Sequence, residues 1–171
     1  DDDTNLPWSG HMGIYAVEEI YERIKKHQST IVFVNTRTQV ELVFQELWRV
    51  NDDALPIALH HGSLSPEKRR AVEDRMAKGD LRAVVATSSL DLGLDWGAID
   101  LVIQLGAPKG VARLLQRIGR ANHRLDDPSK AILVPANRFQ MLECRAAVEA
   151  IAEDDLDGAP VYDGGYDVAA Q

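Results

Sequence analysis

Four arginines in this sequence have a spacing that could serve phosphate chemistry. Arg113, Arg117, Arg120 and Arg124 lie at i, i+4, i+7 and i+11, and no acidic residue separates them. A continuous helix would align them along one side, and guanidinium groups present paired, permanently charged donors that match phosphate oxygens. The spacing therefore predicts a phosphate site. The alternative, which is favoured when charge alone is considered, is a solvated cationic face.

A second polar stretch, VVATSSLDLGLDWG, occupies residues 84–97. Its apolar run opens into Thr87, Ser88 and Ser89, whose hydroxyl and amide donors would lie at a predicted helix N-terminus, a favourable place for phosphate. Asp95 would repel phosphate, but its carboxylate could accept a hydrogen bond from a ribose hydroxyl or from an arginine. A turn or cap role is an equally good interpretation of Asp95.

Other catalytic patterns are missing from the sequence. It contains no G-x-x-x-x-G-K-[ST] loop, no acidic pair at a strand end, no Cys/His spacing typical of zinc and no nucleophile elbow. His60 and His61 are adjacent, so on a strand they would point to opposite faces and make a poor metal pair. We therefore expect no metal site held by this chain alone, and the chain looks catalytically incomplete.

Composition narrows the class of protein but does not indicate what it binds. The 171 residues carry a net charge of −8, but nine of the 27 acidic residues lie within 1–3 and 153–171. Positions 4–152 are nearly neutral, with 19 basic and 18 acidic residues. One cysteine, Cys144, excludes an internal disulfide framework, and no apolar run approaches the roughly 18 residues of a membrane span.

The elements that must position these residues alternate along the chain. Short apolar runs typical of strands buried on both faces lie at residues 31–34, 57–59, 83–86, 101–103 and 131–134. Helical stripes lie between them, for example Val40, Val43, Phe44 and Leu47. The pattern predicts an α/β fold with a mainly parallel sheet flanked by helices.

Polar residues follow three of these runs, at 35–38, 60–63 and 87–89. Ligands of open parallel sheets gather at the carboxyl ends of the strands, so these loops are candidate binding loops on one edge. The alternative is helix capping by Asn, Thr and Ser, which we expect to account for at least one of them.

Four blocks in this order resemble the second RecA-like lobe of superfamily 2 helicases. IVFVNTR (31–37) is similar to motif IV, HHGSLS (60–65) to the step after it, residues 84–97 to motif V and QRIGRANH (116–123) to motif VI. Within that superfamily the sequence looks most like Lhr-type helicases, particularly the bacterial ligase-associated DEXH-box branch. The resemblance covers residues 6–152. Residues 153–171 are expected to be an acidic linker or a detached edge, leading toward an absent, winged-helix-like downstream domain.

The resemblance implies a nucleotide site and a nucleic-acid site. ATP with Mg²⁺ would be held mainly by an absent first lobe, with Arg120 as arginine finger beside Gln116 and Arg117, and with Gly93 and Asp95 as nucleotide contacts. Contacts to the phosphate backbone of single-stranded DNA, or of a DNA-containing duplex, are implied for Asn35, Thr36, Arg37, His61, Gly62 and Thr87. Many relatives have an arginine where this chain has His123, which leaves open whether His123 or Arg124 reaches phosphate.

The implied protein is an ATP-dependent DNA helicase of the bacterial cytoplasm with a role in DNA repair. Its partners would be DNA, the first lobe and the downstream domains of the same polypeptide. No membrane partner is expected. The isolated chain would be inactive, because the phosphate-binding loop and the DExH carboxylates are absent. Two alternatives remain: a non-catalytic nucleic-acid-binding module of the same fold, and a small-molecule or interaction domain whose arginine row is merely solvated.

Overall fold

The computed structural model describes residues 17–91, 99–106, 116, 129–134 and 166–170. Three helices have both ends within the described residues: α1 (Val17–Lys26), α2 (Arg37–Arg49) and α3 (Pro66–Ala77). The strands are β1 (Thr30–Phe33), β2 (Ile57–His60), β3 (Ala83–Ala86), β4 (Leu101–Leu105), β5 (Ser129–Val134) and β6 (Tyr166–Ala170). A short 3₁₀ turn, Ser88–Asp91, follows β3.

The strands form one six-stranded sheet in the order β2-β3-β1-β4-β5-β6. The first five are parallel, and each coincides with a predicted apolar run. All residues of β1, β3 and β4 are buried, as expected for parallel strands covered on both faces. The predicted α/β fold with a mainly parallel sheet is confirmed.

The sixth strand lies within residues 153–171, for which a linker or a detached edge was predicted. In the structure Tyr166–Ala170 pairs antiparallel with β5 at the edge of the sheet. The backbone groups on the open side of β5 need hydrogen-bond partners, and a short strand of almost any sequence can supply them. The Asp- and Gly-rich composition gave no signal of this pairing.

Apolar stripes on two helices cover one face of the sheet. Val17, Ile20 and Ile24 of α1 and Val40, Val43 and Leu47 of α2 are buried in one cluster with side chains from the strands. Phe44 packs against this cluster while remaining partly exposed. The predicted α2 stripe is therefore confirmed, and at about 25 cal/mol per Å² its burial is what holds the helix on the sheet.

Helix α3 lies against the opposite face. Two residues of β2 that are three positions apart, and so point to opposite faces, show this: Ile57 joins the α1–α2 cluster, while His60 hydrogen-bonds Glu73 of α3. Ser65 caps α3 by accepting a hydrogen bond from the Lys68 N–H, and Pro66 occupies its first turn. Within the described residues, no helix has the length and apolarity needed to span a membrane.

Candidate nucleic-acid interface

The three polar loops meet at one edge of the sheet. Strands β2, β3 and β1 are parallel neighbours, so the loops that follow them leave from the same side. These loops carry the described residues for which DNA contacts were predicted: Asn35, Thr36, Arg37, His61, Gly62 and Thr87. The prediction that they share an edge is confirmed, whereas their contact with DNA stays a prediction.

The loop after β1 is fixed by a capping box at the start of α2. The Thr36 hydroxyl accepts a hydrogen bond from the Gln39 N–H at 3.3 Å. In return, Gln39 Oε1 accepts from the backbone N–H groups of Asn35 at 2.9 Å and Thr36 at 3.2 Å. The expected capping role is therefore confirmed for Thr36. Because these two N–H groups are engaged, a ligand at this corner would be met by side chains.

One carboxylate links the two basic side chains of the predicted interface. Glu41 Oε1 lies 3.4 Å from His61 Nε2 and 4.0 Å from Arg37 Nε. The Ser63 N–H donates to His61 Nδ1 at 3.2 Å, so in the neutral ring the proton sits on Nε2, facing Glu41. The His61 side chain is 5% exposed and those of Arg37 and Glu41 are 59% and 50% exposed, so solvent screens the arginine pair most.

An open groove of about 490 Å³ lies between α2 and the β2–α3 loop. Its lining combines apolar and polar side chains: Phe44, Leu59 and Leu64, with Arg37, Glu41, Gln45, His61 and Ser63. Arg37 and His61 thus lie on one surface although 24 positions separate them in the sequence. Their shared groove supplies a guanidinium and an imidazole donor beside an apolar contact area.

The loop after β3 is tied to the buried side chain of His60. His60 Nδ1 lies 2.9 Å from Ser89 Oγ, and His60 Nε2 lies 2.9 Å from Glu73 Oε1. Ser89 Oγ in turn lies 3.1 Å from Thr87 Oγ1. Burial lowers the pKa of His60 below its ordinary value, against the raising effect of Glu73. As predicted, His60 and His61 point to opposite faces of the sheet, toward α3 and α2 respectively.

Gly62 lies between His61 and Ser63 with open space beside it. A Cβ built at Gly62 would meet no atom within 4 Å, and its φ is not in the left-handed region. No packing requirement within the described residues therefore explains the glycine.

The predicted nucleotide-contacting residues fall almost entirely outside the described residues. These are Gly93, Asp95, Arg117 and Arg120, and the same holds for His123 and Arg124, one of which was expected to reach phosphate, and for Arg113 of the arginine row. Gln116 is described, and it is helical and exposed. Among the described residues no cluster of three or more His, Cys, Asp or Glu side chains could hold a metal ion.

Sequence reasoning missed three residues that organise this edge. Gln39 could have been found, because Thr36 and Gln39 have the T-x-x-Q spacing of a capping box. Glu41 also had a signal, since it follows Arg37 by four positions on a helix. Glu73 had none, because it meets His60 only through the packing of α3 on the sheet. Ser89 was named as a candidate phosphate donor, but nothing in the sequence indicated its contact with His60.

The fold and its loop-bearing edge define the class of RecA-like α/β domains. Residues 14–124 match the helicase conserved C-terminal domain, and the chain belongs to that family. The similarity to Lhr-type helicases predicted from the motifs is confirmed, while the narrower ligase-associated branch stays a prediction.

Two relatives and one solved structure illustrate this similarity. The ATP-dependent helicase Lhr-Core of Sulfolobus acidocaldarius is 38% identical over 166 residues, covering 94% of this chain and 19% of the relative. Lhr-Core protein 2 of Thermococcus barophilus is 41% identical over 159 residues, covering 90% of this chain and 18% of the relative. The structure of Mycobacterium smegmatis helicase Lhr bound to ssDNA and AMP-PNP superposes with a TM-score of 0.76 at 42% identity, covering 82% of this chain and 19% of that one. The chain thus spans less than a fifth of these proteins.

Proposed function

We propose that this chain is the second motor lobe of an ATP-dependent DNA helicase. It supplies an arginine finger, Arg120, to ATP and Mg²⁺ bound mainly by a first lobe, and it contacts the phosphate backbone of single-stranded DNA through the loops after β1, β2 and β3. The observation that carries the proposal is the 42% identity to Lhr, whose solved structure contains ssDNA and AMP-PNP.

The nucleic-acid side of the proposal is supported by the geometry of the edge. Arg37 and His61 are donors on the surface of one groove, and Gly62 leaves room for another backbone to approach. Arginine and histidine donors on separate loops suit a repeating chain of phosphates. Backbone contacts give affinity without sequence preference, which a translocating motor requires.

The nucleotide side rests on residue types and on family membership. Arg120 and Arg117 stabilise negative charge on the phosphates, Gln116 lies beside them in sequence, and Gly93 with Asp95 contacts the nucleotide. Such a lobe completes its site only when the first lobe closes on it, because the sequence has no phosphate-cradling loop of its own.

Binding of a labelled single-stranded DNA to the 171-residue chain tests the nucleic-acid role. We expect weak binding whose affinity falls steeply between about 50 and 200 mM salt, since each phosphate contact releases counterions from the DNA. Fluorescence anisotropy with an oligonucleotide of mixed sequence measures this. Affinity that is strong and independent of salt would contradict contact with the DNA phosphate backbone. Loss of binding when the base sequence of the oligonucleotide is changed would contradict non-specific recognition.

Two substitutions on α2 should move this affinity in opposite directions. Arg37→Ala removes a phosphate donor, so we expect affinity to fall about fivefold to tenfold and the log–log salt slope to decrease by about 1. Glu41→Gln removes the carboxylate that competes with phosphate for Arg37 and His61, so we expect affinity to rise about twofold to fivefold.

The matched control is Glu46→Gln on the same helix. Glu46 pairs with Arg49 at 2.8 Å in the last turn of α2 and does not line the groove. This variant removes the same charge and should change affinity less than twofold. Equal effects of Glu41→Gln and Glu46→Gln would mean that bulk charge rather than the groove sets affinity.

A further inference from the structure

A chain of hydrogen bonds crosses from α3 to the loop after β3. It runs from Glu73 Oε1 to His60 Nε2 at 2.9 Å, from His60 Nδ1 to Ser89 Oγ at 2.9 Å, and from Ser89 Oγ to Thr87 Oγ1 at 3.1 Å. The His60 side chain is 1% exposed, so neither ring nitrogen can exchange its partner for bulk water.

The direction of each hydrogen bond follows from the carboxylate at one end. An ionised carboxylate only accepts, so Nε2 of a neutral His60 carries the proton and donates it to Glu73. Nδ1 is then the acceptor and must receive the Ser89 hydroxyl proton. Ser89 Oγ is left as an acceptor and receives the Thr87 hydroxyl proton. The whole chain is therefore polarised toward Glu73.

This polarity matters for Thr87, because its other polar groups are occupied. Its backbone N–H donates to the His60 carbonyl at 3.2 Å, and its carbonyl accepts from the Leu90 N–H at 3.2 Å. The hydroxyl is what Thr87 can offer to a ligand, and with the proton directed at Ser89 that hydroxyl presents lone pairs outward. Lone pairs repel a phosphate oxygen.

We infer that Glu73, acting through His60 and Ser89, is a positioning residue that decides whether the Thr87 hydroxyl can donate to a DNA phosphate. This inference rests on the proposed function. For Thr87 to donate outward, Ser89 must donate to Thr87 and His60 Nδ1–H must donate to Ser89. Nε2–H still faces the Glu73 carboxylate, so both ring nitrogens then carry protons. Reversal of the hydrogen-bond chain therefore takes up one proton from solvent, and that proton resides on His60.

The surroundings of His60 oppose that proton in the free protein. Burial is the main effect lowering the pKa of His60, and Arg69 of α3 and the neighbouring His61 lower it further, while Glu73 raises it. His60 is consequently neutral near pH 7.5, and a phosphate at Thr87 raises its pKa. The sign follows from linkage: the bound state holds more protons, so DNA affinity should rise as pH falls from 8 to 6, by at most tenfold per pH unit.

The variant Glu73→Gln tests the inference with little change of shape. Its amide NH₂ can donate to His60 Nε2, which moves the ring proton to Nδ1 and reverses the chain without any proton uptake. We expect ssDNA affinity at pH 8 to rise about fivefold and its pH dependence between 6 and 8 to flatten. Asp74→Asn, which removes the same charge at the next, exposed position, should do neither.

Two further measurements separate the possible failures. In a Thr87→Val background the gain in ssDNA affinity from Glu73→Gln should disappear. If this gain persists, or if Glu73→Gln behaves like Asp74→Asn, the inference is wrong. If Thr87→Val and Arg37→Ala both leave ssDNA binding unchanged, the proposed DNA face itself is wrong. Independently of DNA, ¹⁵N NMR of histidine-labelled chain should show His60 protonated on Nε2 at pH 8, and the Nδ1–H tautomer in its place contradicts the inference.

Discussion

Replacement of Arg120 by alanine in the complete helicase is expected to lower kcat for ATP hydrolysis by about 100-fold or more. An arginine finger meets the γ-phosphate when the cleft between the lobes closes, so it stabilises charge that develops in the transition state. Ground-state nucleotide affinity should therefore change by less than about tenfold. Steady-state ATPase kinetics combined with equilibrium binding of a non-hydrolysable analogue separates the two effects.

Two companion variants distinguish a finger from a generic cationic face. Arg120→Lys should restore little activity, because an ammonium cannot reproduce the planar fork of a guanidinium. Arg113→Ala, one turn before Arg117 in the same row, should cost much less than Arg120→Ala. Equal losses of kcat in Arg113→Ala and Arg120→Ala, or wild-type turnover in Arg120→Ala, would mean that the arginine row is only a solvated cationic face. Binding of ssDNA without nucleotide should survive Arg120→Ala.

The sheet was predictable because each of its parallel strands is an almost continuous apolar run. Residues 83–86, AVVA, are all buried between two layers, and such burial leaves a direct record in sequence. The edge that gathers the polar loops was predictable as well, because parallel strands place their carboxyl ends together. Capping of at least one helix after these strands was predictable from residue type, and Thr36 has that role at the start of α2.

The finer organisation of the site was not predictable, because it depends on tertiary packing. Glu73 and His60 are 13 positions apart on different elements, and no local rule pairs a helix carboxylate with a strand histidine. The same holds for β6, whose pairing with β5 satisfies backbone groups and so does not require a particular side-chain pattern. The Glu41–His61 contact likewise exists only because α2 and the β2–α3 loop lie side by side.

The second large effect is expected for the chain by itself, which should not hydrolyse ATP measurably. The sequence has no phosphate-cradling loop and no strand-end acidic pair for Mg²⁺, and an arginine finger acts on a nucleotide that another lobe holds. Phosphate release by rigorously purified chain, with and without ssDNA, measures this directly. Turnover that co-purifies with the chain and is lost in Arg120→Ala would mean that the site is not shared between lobes.

Mixing the chain with the first lobe of the same helicase tests the central claim most directly. The measurement is the rate of ATP hydrolysis with and without single-stranded DNA, for wild-type and Arg120→Ala chain at equal concentrations. A second motor lobe should create DNA-stimulated hydrolysis that neither lobe shows alone, and Arg120→Ala should reduce it by about 100-fold. Hydrolysis by the first lobe that is unchanged by adding the chain, although the two lobes bind each other, would contradict the account.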